Sequence, residues 1–528
     1  MFPPRAPFFA VVARRPHQAS RRAKPGSGGG SHRGPTVSHG TSRFARVALF
    51  AAAAYLVIAA DASARTIRGT PRNDRIQAVN GVRDRVSCGK GNDVVTADPV
   101  DRVATDCEVV TRRISNDPYG NSDSQHQTEV EPDNAAAGST VVDVFQVGRI
   151  FGGAAANIGF ATSLDAGRTW RRGFLPGLTV NSTPRGDFPV VSDPSVAYDA
   201  LHRTWLVVSL AVAGDRSAVL VSRSTDGLTW SGPVIATLAP TLGPLLLDKE
   251  WIVCDNGASS PFRGHCYLSY SDFRTLAIST QVSVDGGATW LGPIGPPDAA
   301  GRRSMVGSYA PAVQPIVEPD GTVLNPFFDE DRLALIRSTD GGVTWSSAIA
   351  IAAARPAPNG QLRAGPLPVA DVGADGTAYV VWTDCAQRPG CAGNDVVLST
   401  SHDGGLTWSG PTPIPTGPRT VDYELPGFAV DPANPRRLAL VCYSVASGRL
   451  DTWLVTSTDG GGTWTRPRRL NALSFPLDWI ARTSGGRMVG DYMSVAFASG
   501  RIVPVVVLAL RPSGATLQEA AYATSLAR

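Results

Sequence analysis

The sequence predicts an all-β protein whose main part is a β-propeller, and three observations point there. The pattern Ser-x-Asp-x-Gly-x-Thr-Trp starts at Ser163, Ser283, Ser338, Ser401 and Ser457, with a copy one residue shorter at Ser224. Successive starts lie 61, 59, 55, 63 and 56 residues apart, a period that holds about four short strands. Turn formers are abundant, with 55 Gly and 41 Pro in 528 residues, whereas only 18% of the chain is charged. One small sheet cannot bury both its faces, but a ring of them can.

In chain order, residues 1–64 read as a signal peptide with a long basic leader. Nine Lys and Arg fall within the first 46 residues, the apolar run Val47–Ala60 comes next, and Ala62-Ser63-Ala64 offers a cleavage pattern. The run of 14 is short for a membrane span, which needs about 20 residues. The expected product is secreted, extracellular and monomeric, with no stable membrane span. The net charge of +4 is carried by the leader, so no nucleic-acid surface is expected.

Residues 65–112 differ in kind from the rest of the chain. Ile67-Arg-Gly-Thr-Pro-Arg-Asn-Asp74 and Cys88-Gly-Lys-Gly-Asn-Asp93 resemble the nonapeptide turns of haemolysin-type (RTX) calcium-binding proteins. That resemblance implies stacked turns with Asp74 and Asp93 as Ca²⁺ ligands. The other reading is a small β module stapled by a disulfide. No cofactor is otherwise required. A polar linker, 113–127, leads to the propeller, 128–528.

Seven cysteines suit an oxidising compartment. Three local pairs are expected, Cys88 with Cys107, Cys254 with Cys266, and Cys385 with Cys391. Cys442, inside the apolar run Leu438–Tyr443, is left as a buried thiol.

The repeated octapeptide reads as a hairpin turn. Its Asp accepts backbone N–H groups, its Gly supplies a positive φ, and its Trp covers apolar surface. Three strands precede each copy and one comes after it. Beyond the sixth copy lie three more strand-like runs, ending at Glu519–Ser525, with no turn motif. A fourth strand from the segment before residue 128 would close the ring, giving seven blades, with six as the alternative.

This turn is the Asp box, and the chain resembles the sialidase superfamily (BNR repeats) over about residues 128–528. Asp165, Asp226, Asp285, Asp340, Asp403 and Asp459 are therefore structural. In that family an arginine triad holds the sugar carboxylate, a Tyr assisted by a Glu is the nucleophile, and an Asp is the acid/base. The family's Arg-Ile-Pro string has only Gly148-Arg149-Ile150-Phe151 as its counterpart, without the Pro, and no triad can be assigned.

The innermost strands nonetheless begin with charged and aromatic residues on the face opposite the boxes. These include Glu131, Asp133, Asp193, Asp248-Lys249-Glu250-Trp251, Asp422-Tyr423-Glu424 and Asp491-Tyr492. Converging carboxylates shift one another's ionisation, as acid/base chemistry requires. The catalytic candidates are Tyr492, Asp491, Glu250 and Glu424. The ligand-binding candidates are Asp193, Asp248, Lys249, Tyr309, Asp384, Arg303 and Arg487. Two functions are compatible with this pattern: a secreted sialidase-like glycoside hydrolase acting on terminal sugars of glycans, or a non-catalytic propeller that binds a glycan or cell-surface macromolecule. A Ser/His/Asp hydrolase is disfavoured, because four of the seven His precede the propeller and no nucleophile elbow is present.

Overall fold

The computed structural model describes residues 63–527 apart from 215, 241–246, 273–276, 295–312, 330, 359–361 and 366. The expected leader lies almost wholly outside the described residues, as do Arg303 and Tyr309. Among the described residues no helix is long and apolar enough to cross a membrane.

The protein is built almost entirely of strands. Among the described residues, six antiparallel groups of four succeed one another along the chain, each hydrogen-bonded in chain order. Their innermost strands are Glu129–Ala137, Val190–Asp199, Leu247–Cys254, Ile316–Val317, Val369–Val372 and Asp422–Asp431. A seventh group begins with Ser494–Ala498, continues through Arg501–Ala509 and Glu519–Thr524, and takes its outer strand, Val109–Arg113, from the N-terminal segment. These groups are sheets I to VII. Each innermost strand neighbours the next, and that of sheet VII returns to that of sheet I.

Separate apolar clusters fill the spaces between sheets. Val207, Val196 and Val142 pack between I and II, Leu206, Ile252 and Leu268 between II and III, and Tyr379, Phe428 and Leu440 between V and VI. The strands are buried on both faces, as in Thr140–Arg149 and Cys266–Asp272. Packing between sheets, rather than alternation along one strand, therefore supplies the core.

The Asp box is the device that joins sheets. In the first copy Asp165 Oδ1 accepts the N–H groups of Arg168 (3.1 Å) and Thr169 (2.8 Å), and Oδ2 accepts the Thr169 hydroxyl at 2.7 Å. Ser163 Oγ donates to Asp165 Oδ1 (2.8 Å) and accepts Gly167 N–H at 2.8 Å. The other five copies repeat this network. The Thr407 hydroxyl and N–H hold Asp403 down to about 2, and Thr463 does the same for Asp459. Gly287, in the third box, has φ +77° and lies so close to sheet II that a Cβ would sit 2.5 Å from Leu206 Cδ2. The first box closes the ring in the same way, since a Cβ on Gly167 would meet Val503 of sheet VII at 2.8 Å.

The N-terminal module is a parallel solenoid. Thr66–Arg68, Arg85–Ser87 and Arg102–Val103 form one parallel sheet, while Arg75–Ala78, Val94–Ala97 and Val109–Arg113 form the other. The last strand crosses the expected boundary at residue 112 and is shared with sheet VII. Thr111 Oγ1 donates to Leu470 O at 2.6 Å and lies 2.7 Å from Thr524 Oγ1. The three expected disulfides are formed and Cys442 is a buried free thiol.

Candidate functional site

The inner strands of sheets I, II, III and VI carry the same irregularity. Each has a bulge, at Val130/Asp133, Ser192/Ser195, Asp248/Trp251 and Glu424/Gly427. The first residue inside each bulge adopts a positive φ: Glu131 (55°), Asp193 (48°), Lys249 (55°) and Leu425 (51°). Non-glycine residues are strained there, and such strain gathers at functional sites. The second residue is Pro132, Pro194 or Pro426 in three of the four, but Glu250 in the third sheet.

These bulges open on a central cavity of about 340 Å³, lined at its polar end by Asp193, Lys249, Glu250, Trp251, Asp491 and Tyr492. Lys249 Nζ lies 2.6 Å from Asp491 Oδ2 and 3.3 Å from Asp193 Oδ2. The second contact is within ion-pair range without being a hydrogen bond. Arg363 also pairs with Asp491 Oδ2. Glu131 accepts Asp491 N–H at 3.2 Å and a hydrogen bond from Gln146 Nε2. The Tyr492 hydroxyl donates to Pro194 O at 2.8 Å, and its ring meets Trp251 edge-on at 5.0 Å.

The cluster divides its carboxyl groups into two kinds. Burial alone would raise Asp491, but the Arg363 and Lys249 cations outweigh it and hold the group far below the usual carboxylate range. Burial, reinforced by the negative charge of Asp193, pushes Glu131, Asp248 and Glu250 upward. Glu250 is 1% exposed, and neither of its carboxyl oxygens has a hydrogen-bond partner among the described residues. Burial opposes the charge on Lys249, yet Asp193 and Asp491 keep it protonated. Environments that drive neighbouring acids apart in this way create an acid and a base at one pH.

The structure thus brings together Tyr492, Asp491, Glu250, Asp193, Asp248 and Lys249. Glu424 is elsewhere: it accepts Asn394 Nδ2 at 2.8 Å and does not line the central cavity. Its bulge residue is Leu425, so Glu424 corresponds to Asp248 and not to Glu250. Asp384 serves a turn, accepting Arg355 N–H (3.0 Å), Ala386 N–H (2.5 Å) and Trp382 Nε1 (3.1 Å). Arg487 donates to Ile480 O at 2.8 Å and Asp478 Oδ1 at 3.0 Å, and its own carbonyl accepts Arg363 N–H at 2.6 Å. Its role is to place Arg363, which the sequence reading missed and no repeat position signals. Arg149 is buried, and its Nη1 donates to Ile150 O (2.9 Å) and Ala154 O (2.6 Å) of its own loop.

Asp93 Oδ1 accepts Asp74 N–H at 2.7 Å, and Asp74 Oδ2 accepts Thr70 N–H at 2.5 Å. Asp93 Oδ2 is buried and has no hydrogen-bond partner among the described residues. Carboxylate-to-backbone hydrogen bonds hold successive turns, as also between Asp101 and Asp84 N–H at 2.8 Å. The one cluster of metal-ligating residue types found among the described residues is Cys88, Asp106 and Cys107, whose sulfurs are joined to each other.

Residues 265–487 match the BNR repeat-like domain. The chain is 32% identical to the xyloglucanase Xgh74A of Acetivibrio thermocellus over 334 residues, 55% of this chain and 38% of that protein. The chain therefore spans under two fifths of that relative. Among solved structures, it resembles the NanB sialidase of Streptococcus pneumoniae (13% identity, 78% of this chain and 70% of that one, TM-score 0.39). It also resembles the α-L-arabinofuranosidase Arb93A of Fusarium graminearum (14% identity, 70% and 98%, TM-score 0.42).

Proposed function

We propose that the protein is a secreted glycoside hydrolase acting on terminal sugars of glycans, with the channel mouth as its active site. The observation that carries this reading is the opposite displacement of Glu250 and Asp491 at the polar end of one cavity. Glu250, kept protonated by burial, is the proton donor to the glycosidic oxygen as the bond to the anomeric carbon breaks. Asp491, kept ionised by Lys249 and Arg363, faces the positive charge that develops on the sugar ring, and Glu250, left as a carboxylate by the first step, takes the proton of the water that adds to the anomeric carbon and is thereby restored. Tyr492 and Trp251 form the aromatic floor beside them.

Sialoside cleavage is the specificity to test first, because the resemblance implies it. The test is release of a fluorogenic aglycone from sialosides, and from neutral and uronic-acid glycosides, by the wild type and by Glu250→Gln. Turnover of any of these, lowered at least a hundredfold in Glu250→Gln while the fold is kept, is the expected result. Turnover that Glu250→Gln leaves intact would remove Glu250 from the chemistry.

A second reading has its own support. The Tyr492 hydroxyl is given to a backbone carbonyl, burial raises it, and Arg149 is spent on its own loop. Among the described residues these placements do not supply a free tyrosine nucleophile or an arginine triad, which favours a non-catalytic glycan binder. Glycan-array binding without turnover would establish that alternative.

A further inference from the structure

A second cleft, of about 390 Å³, lies between the N-terminal solenoid and the outer edge of sheet VI. We infer that it is an accessory binding site for an anionic polysaccharide, one carrying carboxylate or sulfate groups. Its walls include Arg75 and Asn92 from the solenoid, and Trp453, Arg466, Arg468 and Arg469 from sheet VI.

Comparison with the chain's own repeats supplies the first argument. After Trp230, Trp290 and Trp408 the sequence continues Ser-Gly-Pro, Leu-Gly-Pro and Ser-Gly-Pro. After Trp464 it continues Thr-Arg-Pro-Arg-Arg. The first copy also continues with arginines, Arg171-Arg172, but the fourth continues Ser346-Ser347, so the needs of the turn are met without arginine in four of the other five copies and do not themselves require Arg466, Arg468 and Arg469.

Uncompensated charge supplies the second. Arg75, Arg466 and Arg468 are exposed and form no ion pair among the described residues. Arg469 is paired with Asp451, yet Arg75 and Arg449 crowd it with like charge. Four arginines line the cleft against two carboxylates, Asp74 and Glu108, each of which also accepts a backbone N–H. That excess of positive charge favours an anion, and guanidinium forks match carboxylate and sulfate oxygens.

The remaining wall suits a sugar. Trp453 offers an aromatic surface, with Arg469 5.9 Å over its ring, and Asn92 brings a side-chain amide within reach of hydroxyl groups. The cleft is within the usual size range of small-ligand sites. It would hold an acidic chain against the outer face of the protein, away from the channel mouth.

The test is affinity electrophoresis of the full chain in gels containing polygalacturonate, dextran sulfate, neutral xyloglucan or duplex DNA. Wild-type protein is expected to be retarded by at least one acidic polysaccharide, in a salt-sensitive way. Retardation by polygalacturonate or by dextran sulfate distinguishes carboxylate from sulfate recognition. Arg466→Ala/Arg468→Ala, at two exposed positions, is expected to bind at least tenfold more weakly with an unchanged melting temperature, and Arg466→Lys/Arg468→Lys to retain part of the binding. Equal binding by the Ala variant, no retardation by either acidic polysaccharide, or equal affinity for neutral xyloglucan or for DNA would overturn the inference. The readout is binding, so it stands apart from whether the channel mouth hydrolyses a glycan.

Discussion

Lys249 and Asp491 form an ion pair of 2.6 Å between residues 242 positions apart in the chain. Lys249 stands on the inner strand of sheet III and Asp491 on the approach to sheet VII, so the pair spans the mouth of the ring across sheets I and II. The strained bulge at Lys249 is what aims the ammonium inward. The same pair keeps Asp491 ionised beside carboxyl groups that burial keeps neutral. Position, strain and charge are thus one arrangement.

Replacing Lys249 by Met is expected to cost about 3–5 kcal/mol, because it leaves buried carboxylates without their cation. Urea unfolding would measure this. Adding Asp193→Asn to Lys249→Met should recover part of the loss, giving a coupling energy above about 0.5 kcal/mol in a double-mutant cycle. Simple additivity would show that the two side chains do not depend on each other.

Much of this was legible in the sequence, for definite reasons. The Asp boxes repeat because every copy solves one local problem, so the turns, their spacing and the completion of the last sheet by a strand from before residue 128 could all be read. The local cysteine pairs came from spacing alone. The clustering of Asp193, Lys249, Glu250, Asp491 and Tyr492 came from placing inner-strand starts at one face. What failed was register. A bulge adds one residue and shifts which side chains reach a face, so Glu424, which resembles Glu250 in the string Asp-Tyr-Glu, stands two positions short of it, at the counterpart of Asp248. Arg363 escaped because it lies outside any repeat, and is fixed by the carbonyl of Arg487 rather than by a strand. Asp74 and Asp93 share residue types with calcium turns, and the backbone N–H groups that Asp93 Oδ1 and Asp74 Oδ2 accept could not be read from that pattern.

If Glu250 is the proton donor, activity should fall as pH rises, with an alkaline limb above the ordinary glutamate range. Burial stabilises its neutral form, and deprotonation removes the transferable proton. A pH–rate profile in which kcat/KM falls only below pH 5, with no alkaline limb, would contradict that role.

Stability should depend on pH in two opposite ways. Asp133 and Glu129 are raised to about 7 by burial, and Glu131, Asp248 and Glu250 are raised as well. The folded state holds these protons more tightly than the unfolded chain, so stability is lost as pH rises from about 4 through 7. Asp226, held at about 2 first by Thr229 N–H, and its counterparts act the other way. Their contribution is present above the ordinary Asp range and is lost as pH falls toward 2. Melting temperature should therefore peak on the acid side of neutrality. A maximum at pH 8 or above would show that the buried carboxyls are not neutral in the folded state.

Gly287→Ala should be costly although it adds one methyl group. The residue's φ of +77° disfavours any side chain, by about 1 kcal/mol. The new Cβ would also lie 2.5 Å from Leu206 Cδ2, an overpacking worth about 1–3 kcal/mol. Gly462→Ala offers the control, since its Cβ would approach only Asp459, at 3.3 Å or more, and no positive φ is required. Equal urea midpoints for the two variants would deny the box glycine its part in joining sheets.

Removing residues 65–113 should expose more than a small module. The strand Glu519–Thr524 would lose its partner Val109–Arg113, leaving an open edge on sheet VII. Thr524 Oγ1 and Leu470 O would lose Thr111, at about 1–3 kcal/mol for each buried group left unsatisfied. The apolar cluster around Tyr522 and Leu470 would lose Val109. The truncated chain is expected to aggregate, and to melt well below the chain that retains the solenoid, as light scattering during a thermal ramp would show. A truncated chain that stays monomeric with an unchanged melting temperature would mean that sheet VII is complete with three strands, and that the solenoid is only attached to it.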